Sequence, residues 1–468
     1  MFTLKDAFFA FTNVGILILI ARVIRQRIQL LRSLYIPSSI VAGVLALLLG
    51  PAVLGAIAGP DSPLANGLFN ETIRTVWSQS PGIFINIVFA AIFIGESIPS
   101  PRDIWRKAAP QVVFGQTIAW GQYVVGLLLA LLVLSPIFGI DPMAGALIEI
   151  GFEGGHGTAG GMAETFVELG FPEGADLALG LATVGIVSGI VAGTVLANWA
   201  RGNGKLQIEQ VDSSEASESA IALHQEPPEI EAARNAAMQD LLIDPLTLNL
   251  GFVGLALLIG WLILQALVGI ENLTWGTQGV KLMAYVPLFP MALIGGLIVQ
   301  LILERLGLTF LVIRPLMANI AGVALDVVIV TALASISLKV LGSNLLPFLI
   351  LSIAGIAWNI FAFLFLAPRL LPSFWFERGI GDMGQSMGVT ATGILLMRMV
   401  DPENKSGAFE SFAYKQLLFE PIVGGGLFTA AAPALIHQFG PIQVLLLTGV
   451  ILAAWLVFGF WNFKQTRV

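Results

Sequence analysis

Two glycine-rich stretches of the chain, 151–161 and 379–393, place ionisable side chains among apolar residues. The first contains Glu153 and His156, and the second contains Asp382. Clustered glycine breaks a helix, because glycine loses the most backbone entropy on folding and tolerates positive φ. The backbone groups freed by such a break can bind charged ligands: helix N-termini favour anions, and bare carbonyls with side-chain oxygens suit Na⁺.

We expect the two stretches to form one site for a substrate and an ion. An acid at the centre of a bilayer costs roughly 3 kcal/mol, so close helix packing alone is a poor reason for these residues. The candidate residues are Glu153, Gly154, Gly155, His156, Gly157, Thr158, Asp382, Gly384, Gln385, Ser386, Gly388, Thr390 and Thr392, with Asp326 from the middle of another apolar run. The Na⁺ ligands are expected among Thr158, Asp326, Asp382, Ser386 and Thr390.

Some ionisable residues allow a structural interpretation as well. Asp326 could pair with another helix, and His156 could be a hydrogen-bonded structural histidine. Glu149, Glu164 and Glu420 lie nearer the ends of apolar runs, where structural roles are expected.

The elements that must position these residues are helices in a membrane. Of the 468 residues, 56% are hydrophobic and 11% charged, whereas soluble domains carry about 25% charged residues. Every spanning segment in lipid must be an α-helix, because unsatisfied backbone groups are too costly there. An all-α integral membrane protein is therefore predicted, with spans near 7–23, 36–57, 81–97, 109–135, 173–200, 246–270, 282–303, 319–338, 344–367, 416–437 and 440–463.

The stretches 141–170 and 374–400 do not read as continuous spans, and we expect each to be a re-entrant hairpin. Cytoplasmic loops are enriched in Lys and Arg. With the N-terminus outside, this topology places every Lys and Arg on the cytoplasmic side, Lys415 included, except Lys5, Arg74, Lys281 and Lys339. The bias supports eleven crossings with the C-terminus inside.

This topology contains an inverted repeat. Each half has four spans, a broken hairpin and a fifth span, and the halves start on opposite sides. The predicted divisions are an N-terminal repeat 1–200, an acidic cytoplasmic linker 201–243, a C-terminal repeat 244–437, and an additional span with its tail at 438–468.

The two motifs resemble those of the sodium:glutamate symporter family. Residues 154–158, Gly-Gly-His-Gly-Thr, are similar to the family's first hairpin motif, and 381–392 resemble its second. The resemblance implies Na⁺-driven uptake of glutamate, hairpins that meet at the substrate, and a homodimer whose transport domains move like elevators. This chain has Asp382 where the family has histidine, Ser386 where it has glycine, and Glu153 where it has serine.

The expected function is a sodium-coupled symporter that imports glutamate or a related carboxylate across the cytoplasmic membrane. A cation/proton antiporter or channel that uses the buried acids, and a symporter of another organic anion, remain alternatives. The sequence has no P-loop or HExxH motif, so an enzyme is not expected. No cofactor beyond Na⁺ as coupling ion is expected, and no basic patch with interleaved aromatics suggests nucleic acid.

Overall fold

The computed structural model describes residues 2–34, 36–206 and 243–463. Most of the predicted linker 201–243 lies outside the described residues. Within the described ranges every regular element is helical. The first half contains α1 (Leu4–Arg27), α2 (Ser38–Leu48), α3 (Glu71–Ala91), α4 (Pro101–Leu129), α5 (Pro142–Phe152), α6 (Gly155–Gly161), α7 (Ala163–Glu168) and α8 (Glu173–Gly202). The second half contains α9 (Pro245–Leu273), α10 (Leu288–Leu306), α11 (Arg314–Ser335), α12 (Leu345–Phe361), α13 (Trp375–Val400), α14 (Ala408–Phe419), α15 (Leu427–Phe439) and α16 (Pro441–Asn462).

Nine helices of the described part are long and apolar enough to cross a membrane: α1, α2, α4, α8, α9, α10, α11, α12 and α16, with α2, α4 and α12 extended by adjoining turns. Large apolar side chains such as Leu258 on α9 and Leu446 on α16 are exposed on the protein surface. Exposed apolar faces of this extent are typical of surfaces that meet lipid. An integral membrane protein is thus confirmed.

Two predicted spans differ from the structure. The span predicted at 81–97 begins and ends earlier in the chain than expected: the helix runs from Glu71 to Ala91 and contains Pro81. The single span predicted at 416–437 is wrong, because α14 ends at Phe419 and α15 begins at Leu427. Pro421 and three successive glycines, 424–426, lie in this interruption, and Gly424 and Gly425 have φ of 72° and 101°. A right-handed helix cannot continue through residues with positive φ, so the chain is interrupted at Gly424 and Gly425.

The predicted breaks in 141–170 and 374–400 are confirmed. In the first, helix ends after Phe152 and resumes at Gly155, whose φ is 69°. In the second, α13 is interrupted at Gly388 and Val389, where φ is −150° and 61°. A Cβ on Gly381 would lie 2.6 Å from the sulfur of Met397. A straight helix would separate these residues by about 24 Å, so α13 folds back on itself.

The helices pack in two groups. We call α1, α2, α3, α9, α10 and α11 the framework: α3 packs on α10 and α11, α2 packs on α11, and α9 packs on α10. We call the rest the core bundle, in which α8 packs on α5 and α13, and α4 packs on α14 and α16. The second arm of the first hairpin, α6, touches α3 and α11 of the framework as well as α8.

Candidate functional site

The two predicted breaks meet inside the protein. A Cβ on Gly155 would lie 2.3 Å from Val389 Cγ1, so the tips of the first hairpin and of α13 are in contact. Next to this contact, Ser386 Oγ donates a hydrogen bond of 3.1 Å to Glu153 Oε1. The two glycine-rich stretches identified in the sequence therefore build one locus.

The interruption between α14 and α15 forms a third part of this locus. The Gly424 N–H donates to Glu149 Oε1 at 2.8 Å. A Cβ on Gly424 would lie 3.6 Å from Glu153 Cγ, and one on Gly425 would lie 2.8 Å from Thr158 Oγ1. Side chains at 424 and 425 would fill the space beside the first hairpin, so glycine is required for this close approach.

Glu149 holds this third part in place. Besides the Gly424 N–H, its Oε1 accepts from Thr429 Oγ1 at 2.8 Å, and its Oε2 accepts from the Tyr123 hydroxyl at 2.6 Å. The carboxyl group is fully buried. With three donors, it links α4, α5 and α15 and agrees with the structural role expected for it, although it lies at the centre of the site.

The acid of the second stretch is paired with a lysine. Lys415 Nζ lies 2.9 Å from Asp382 Oδ1, and Gln111 Nε2 donates to Asp382 Oδ2 at 2.6 Å. Lys415 also donates to Gln385 Oε1 at 2.6 Å. The prediction that Lys415 is a cytoplasmic loop residue is therefore wrong: it lies on α14 with no exposed surface, since its charge is compensated inside the protein.

Polar contacts continue from this pair towards the α14–α15 interruption. Gln416 Nε2 donates to Gln385 Oε1 at 3.2 Å and to Thr390 Oγ1 at 3.1 Å. Thr390 Oγ1 in turn donates to Glu420 Oε1 at 3.1 Å. Glu420, predicted to lie near a span end, thus joins the second arm of α13 to the third interruption.

Backbone freed by the break in α13 is partly bound by side chains. Gln122 Nε2 donates to the Ser386 carbonyl at 2.6 Å, and Thr392 Oγ1 donates to the Gly388 carbonyl at 2.5 Å. Such bonds compensate carbonyls that would otherwise lack partners in an apolar interior.

Two buried oxygens at the hairpin tip have no hydrogen-bond partner within the described residues: Glu153 Oε2 and Thr158 Oγ1. Their side chains lie beside consecutive glycines of the same loop, Glu153 through Cγ at Gly424 and Thr158 through Oγ1 at Gly425. Leaving buried polar atoms unpaired is costly, and each such atom in a native protein requires an explanation. A carboxylate oxygen, a hydroxyl and neighbouring backbone carbonyls are ligands that a hard cation accepts.

The family model described as sodium/glutamate symporter matches residues 5–403. The chain belongs to the sodium/glutamate symporter family. No curated protein and no solved structure matches the chain. The symporter family is a family of transporters and not of enzymes, so the resemblance seen in the sequence and the expected transport class are confirmed. Residues 404–468 of this symporter, which include Lys415 and Glu420, lie beyond the matched range.

Most sequence-predicted site residues of this symporter lie at or beside the hairpin tips. They are Glu153, Gly154, Gly155, Gly157 and Thr158 of the first hairpin, and Asp382, Gly384, Gln385, Ser386, Gly388, Thr390 and Thr392 of α13. His156 lies on α6 with Nε2 3.0 Å from Thr183 Oγ1 of α8. Asp326 is half-buried on α11 and interacts with Ser39 of α2, so the structure places it in the framework, apart from the polar contacts of the tips.

Sequence reasoning missed the contributions of α4 and α14 to this symporter's site. Gln111, Gln122 and Tyr123 are polar residues in one long apolar helix, and this grouping could have indicated that α4 contributes to a polar site. Lys415 and Gln416 precede Glu420-Pro421, and the glycines 424–426 follow. Residues 415–426 therefore combine ionisable residues with glycines, as do the two stretches 151–161 and 379–393 from which the site was predicted.

Proposed function

We propose that this chain is a Na⁺-coupled symporter that carries glutamate across the cytoplasmic membrane, with its site at the two hairpin tips and the α14–α15 interruption. Family membership supports transport of glutamate with sodium. The observation that carries the site is the pair of unpartnered buried oxygens, Glu153 Oε2 and Thr158 Oγ1. We propose these two oxygens as Na⁺ ligands, together with carbonyls of the adjacent glycine loop.

The charge balance of the site explains coupling. Glu149, Glu153, Asp382 and Glu420 are buried acids of this site, and two cations interact with them: the fully buried Lys415 and the half-buried Arg378 beside Asp382. An anionic substrate would be repelled by uncompensated carboxylates at short range. Bound cations remove this repulsion, so glutamate binds well only after Na⁺ does, and by linkage Na⁺ binds better when glutamate is present.

The substrate carboxylate needs donors, and α13 offers them. Its second arm begins after Val389 and runs to Val400, so the first N–H groups of that arm lie at the tip. Unpaired N–H groups at a helix start favour anions through hydrogen bonding and the helix dipole. Thr390 and Gln385 supply further polar groups beside this start.

Transport requires the site to open to each side in turn. We propose that the core bundle moves against the framework as an elevator, and that the two halves of the chain are inverted repeats. Equivalent packings support the repeat: α2 on α11 matches α10 on α3, and α13 on α8 matches α5 on α15. A homodimer with the N-terminus outside and the C-terminus inside completes the proposal.

Uptake of labelled glutamate into proteoliposomes tests the function. We expect accumulation driven by a Na⁺ gradient and none when K⁺ or a pH gradient replaces it, with aspartate and other carboxylates as competitors.

Glu153→Gln should raise the Na⁺ concentration for half-maximal uptake about tenfold or more, because about 1.4 kcal/mol of lost cation binding is tenfold in affinity. Glu164→Gln, the same change on an exposed acid of the first hairpin, is the control and should leave it unaltered. Uptake without Na⁺, or equal Na⁺ dependence in the two variants, would reject the proposal.

A further inference from the structure

Lys415 is a cation that the protein solvates internally. Its ammonium contacts Asp382 Oδ1 and Gln385 Oε1, and the rings of Phe419 and Phe412 lie 4.1 and 4.8 Å from Nζ. Carboxylate, amide oxygen and aromatic faces are favourable surroundings for an ammonium group. These protein groups therefore solvate the ammonium group of Lys415 in place of water.

The space for this side chain is provided by a glycine on α4. A Cβ on Gly115 would lie 2.9 Å from Lys415 Cδ and 3.1 Å from Nζ. The lysine chain occupies the volume that a larger residue at 115 would take. Gln111, four residues earlier on α4, donates to the other oxygen of Asp382. One face of α4 thus accommodates the lysine and its acid together.

Asp382 and Glu153 differ in how the charges of their carboxyl groups are compensated. Both carboxyl groups are buried and belong to the hairpins, but Asp382 is bound by an attached ammonium whereas Glu153 has an oxygen with no partner. A buried carboxylate that has lost its partner is strongly unfavourable, so the Asp382 position needs a cation of some kind.

We infer that Lys415 is a tethered cation that neutralises Asp382 and occupies the place of a mobile coupling cation. This rests on the proposed symport. A lysine attached to the chain returns with the empty carrier, so it moves no net charge over a full cycle. A mobile cation in its place is released with the substrate. Lys415 therefore lowers by one the number of cations carried with each glutamate.

The test is the charge moved per glutamate in Lys415→Met. Proteoliposomes with equal Na⁺ and equal pH on both sides and a fixed glutamate gradient are set to known voltages with K⁺ and valinomycin, and the voltage at which net glutamate flux vanishes gives the charge per substrate. We expect Lys415→Met to carry one more positive charge per glutamate than wild type, with a steeper Na⁺ dependence if Na⁺ is the added ion and a pH-gradient dependence if it is a proton. The double variant Asp382→Asn/Lys415→Met should return to the wild-type ratio.

Lys107→Met is the matched control, because Lys107 on α4 pairs with Glu410 on α14 at 2.8 Å on the protein surface. Its charge ratio should equal that of wild type. If Lys415→Met alone is inactive, recovery of uptake on adding Asp382→Asn supports the inference. Failure to recover uptake in a double variant that is as thermostable as wild type overturns it. Equal ratios in wild type, single and double variants also overturn it. Failure of wild type itself to take up glutamate with Na⁺ would instead reject the proposed function.

Discussion

Two glutamates one helical turn apart have opposite surroundings. Glu149 accepts three hydrogen bonds, from the Gly424 N–H and the hydroxyls of Thr429 and Tyr123. Glu153 accepts one, from Ser386, and its second oxygen has no partner in the described protein. Because all the acceptors of Glu149 that the structure describes are used, this acid holds the site together, whereas the unpartnered oxygen of Glu153 is the reason we propose it as a cation ligand.

At this scale we predict that Tyr123→Phe lowers the stability of the protein by about 1–3 kcal/mol, because it removes a donor from a buried carboxyl group. Thermal unfolding in detergent, followed by tryptophan fluorescence, measures the change. Tyr285→Phe is the matched control, since no hydrogen bond of that hydroxyl exists among the described residues. Equal loss in the two variants would contradict the structural role of Glu149.

At the scale of elements, three interrupted helical segments meet. Each interruption contains glycine, and those at 155, 424 and 425 have positive φ. Val389 is also in the left-handed region at φ 61°, although its side chain is β-branched. Strain of this kind is of order 1–3 kcal/mol and persists only where the surroundings enforce it. The surrounding structure therefore holds both residues of the Gly155–Val389 contact in their unusual backbone conformations.

We predict that Gly155→Ala abolishes glutamate uptake and that Val389→Ala in the same chain partly restores it. The added methyl group would lie 2.3 Å from Val389 Cγ1, which alanine at 389 lacks. Gly170→Ala is the control: its φ is 84°, so it is subject to the same backbone penalty of about 1–2 kcal/mol, but nothing lies within 4 Å. Uptake rates and membrane expression are compared for five proteins: wild type, Gly155→Ala, Val389→Ala, the double variant and Gly170→Ala. Independent effects of the two tip substitutions would disprove the contact.

The third interruption has its own test. Gly425→Ala should abolish uptake while the protein still inserts, because the new Cβ would lie 2.5 Å from Phe89 Cζ and 2.8 Å from Thr158 Oγ1. Gly407→Ala, at φ 65° with open space around it, should cost stability but not transport. Binding of Na⁺ to the purified variants, followed by thermal shift, shows whether the ion site is lost. Normal uptake by Gly425→Ala would exclude this loop from the site.

At the scale of the whole molecule, the tips lie where the core bundle meets the framework. A Cβ on Gly160 of α6 would lie 2.7 Å from Pro81 Cβ of α3, and one on Gly43 of α2 would lie 2.6 Å from Leu333 Cβ of α11. The first contact joins the two groups of helices, and the second lies within the framework. If the groups move relative to each other, only the first contact must break during transport.

The chain has no cysteine, so both contacts can be cross-linked in an otherwise thiol-free protein. We predict that oxidation of Pro81→Cys/Gly160→Cys stops glutamate uptake and that a reductant restores it. Gly43→Cys/Leu333→Cys should retain uptake in both states. Both pairs need only a small relaxation to reach disulfide geometry. Continued uptake by the fully oxidised first pair, verified by mass spectrometry, would rule out movement between core bundle and framework at this contact.

Much of the fold could be predicted because lipid restricts the backbone so severely. Apolar runs of spanning length must be helices, and the glycine-rich stretches predicted to be broken are interrupted at 154–155 and at 388. These are local effects, as is the high cost of acids such as Glu153 in an apolar stretch. The sequence by itself therefore determined a helical membrane protein, two of the three interruptions that meet in the described structure and the acids within those two.

Only the tertiary structure decided how the charges are compensated. Lys415 and Asp382 are 33 residues apart, and Glu149 reaches the glycine loop 275 residues later in the chain. A lysine beside an apolar run is usually a loop anchor, because a charge is stable either in water or against a buried partner. Which of the two applies depends on packing between distant helices, and local pattern contains no information about that.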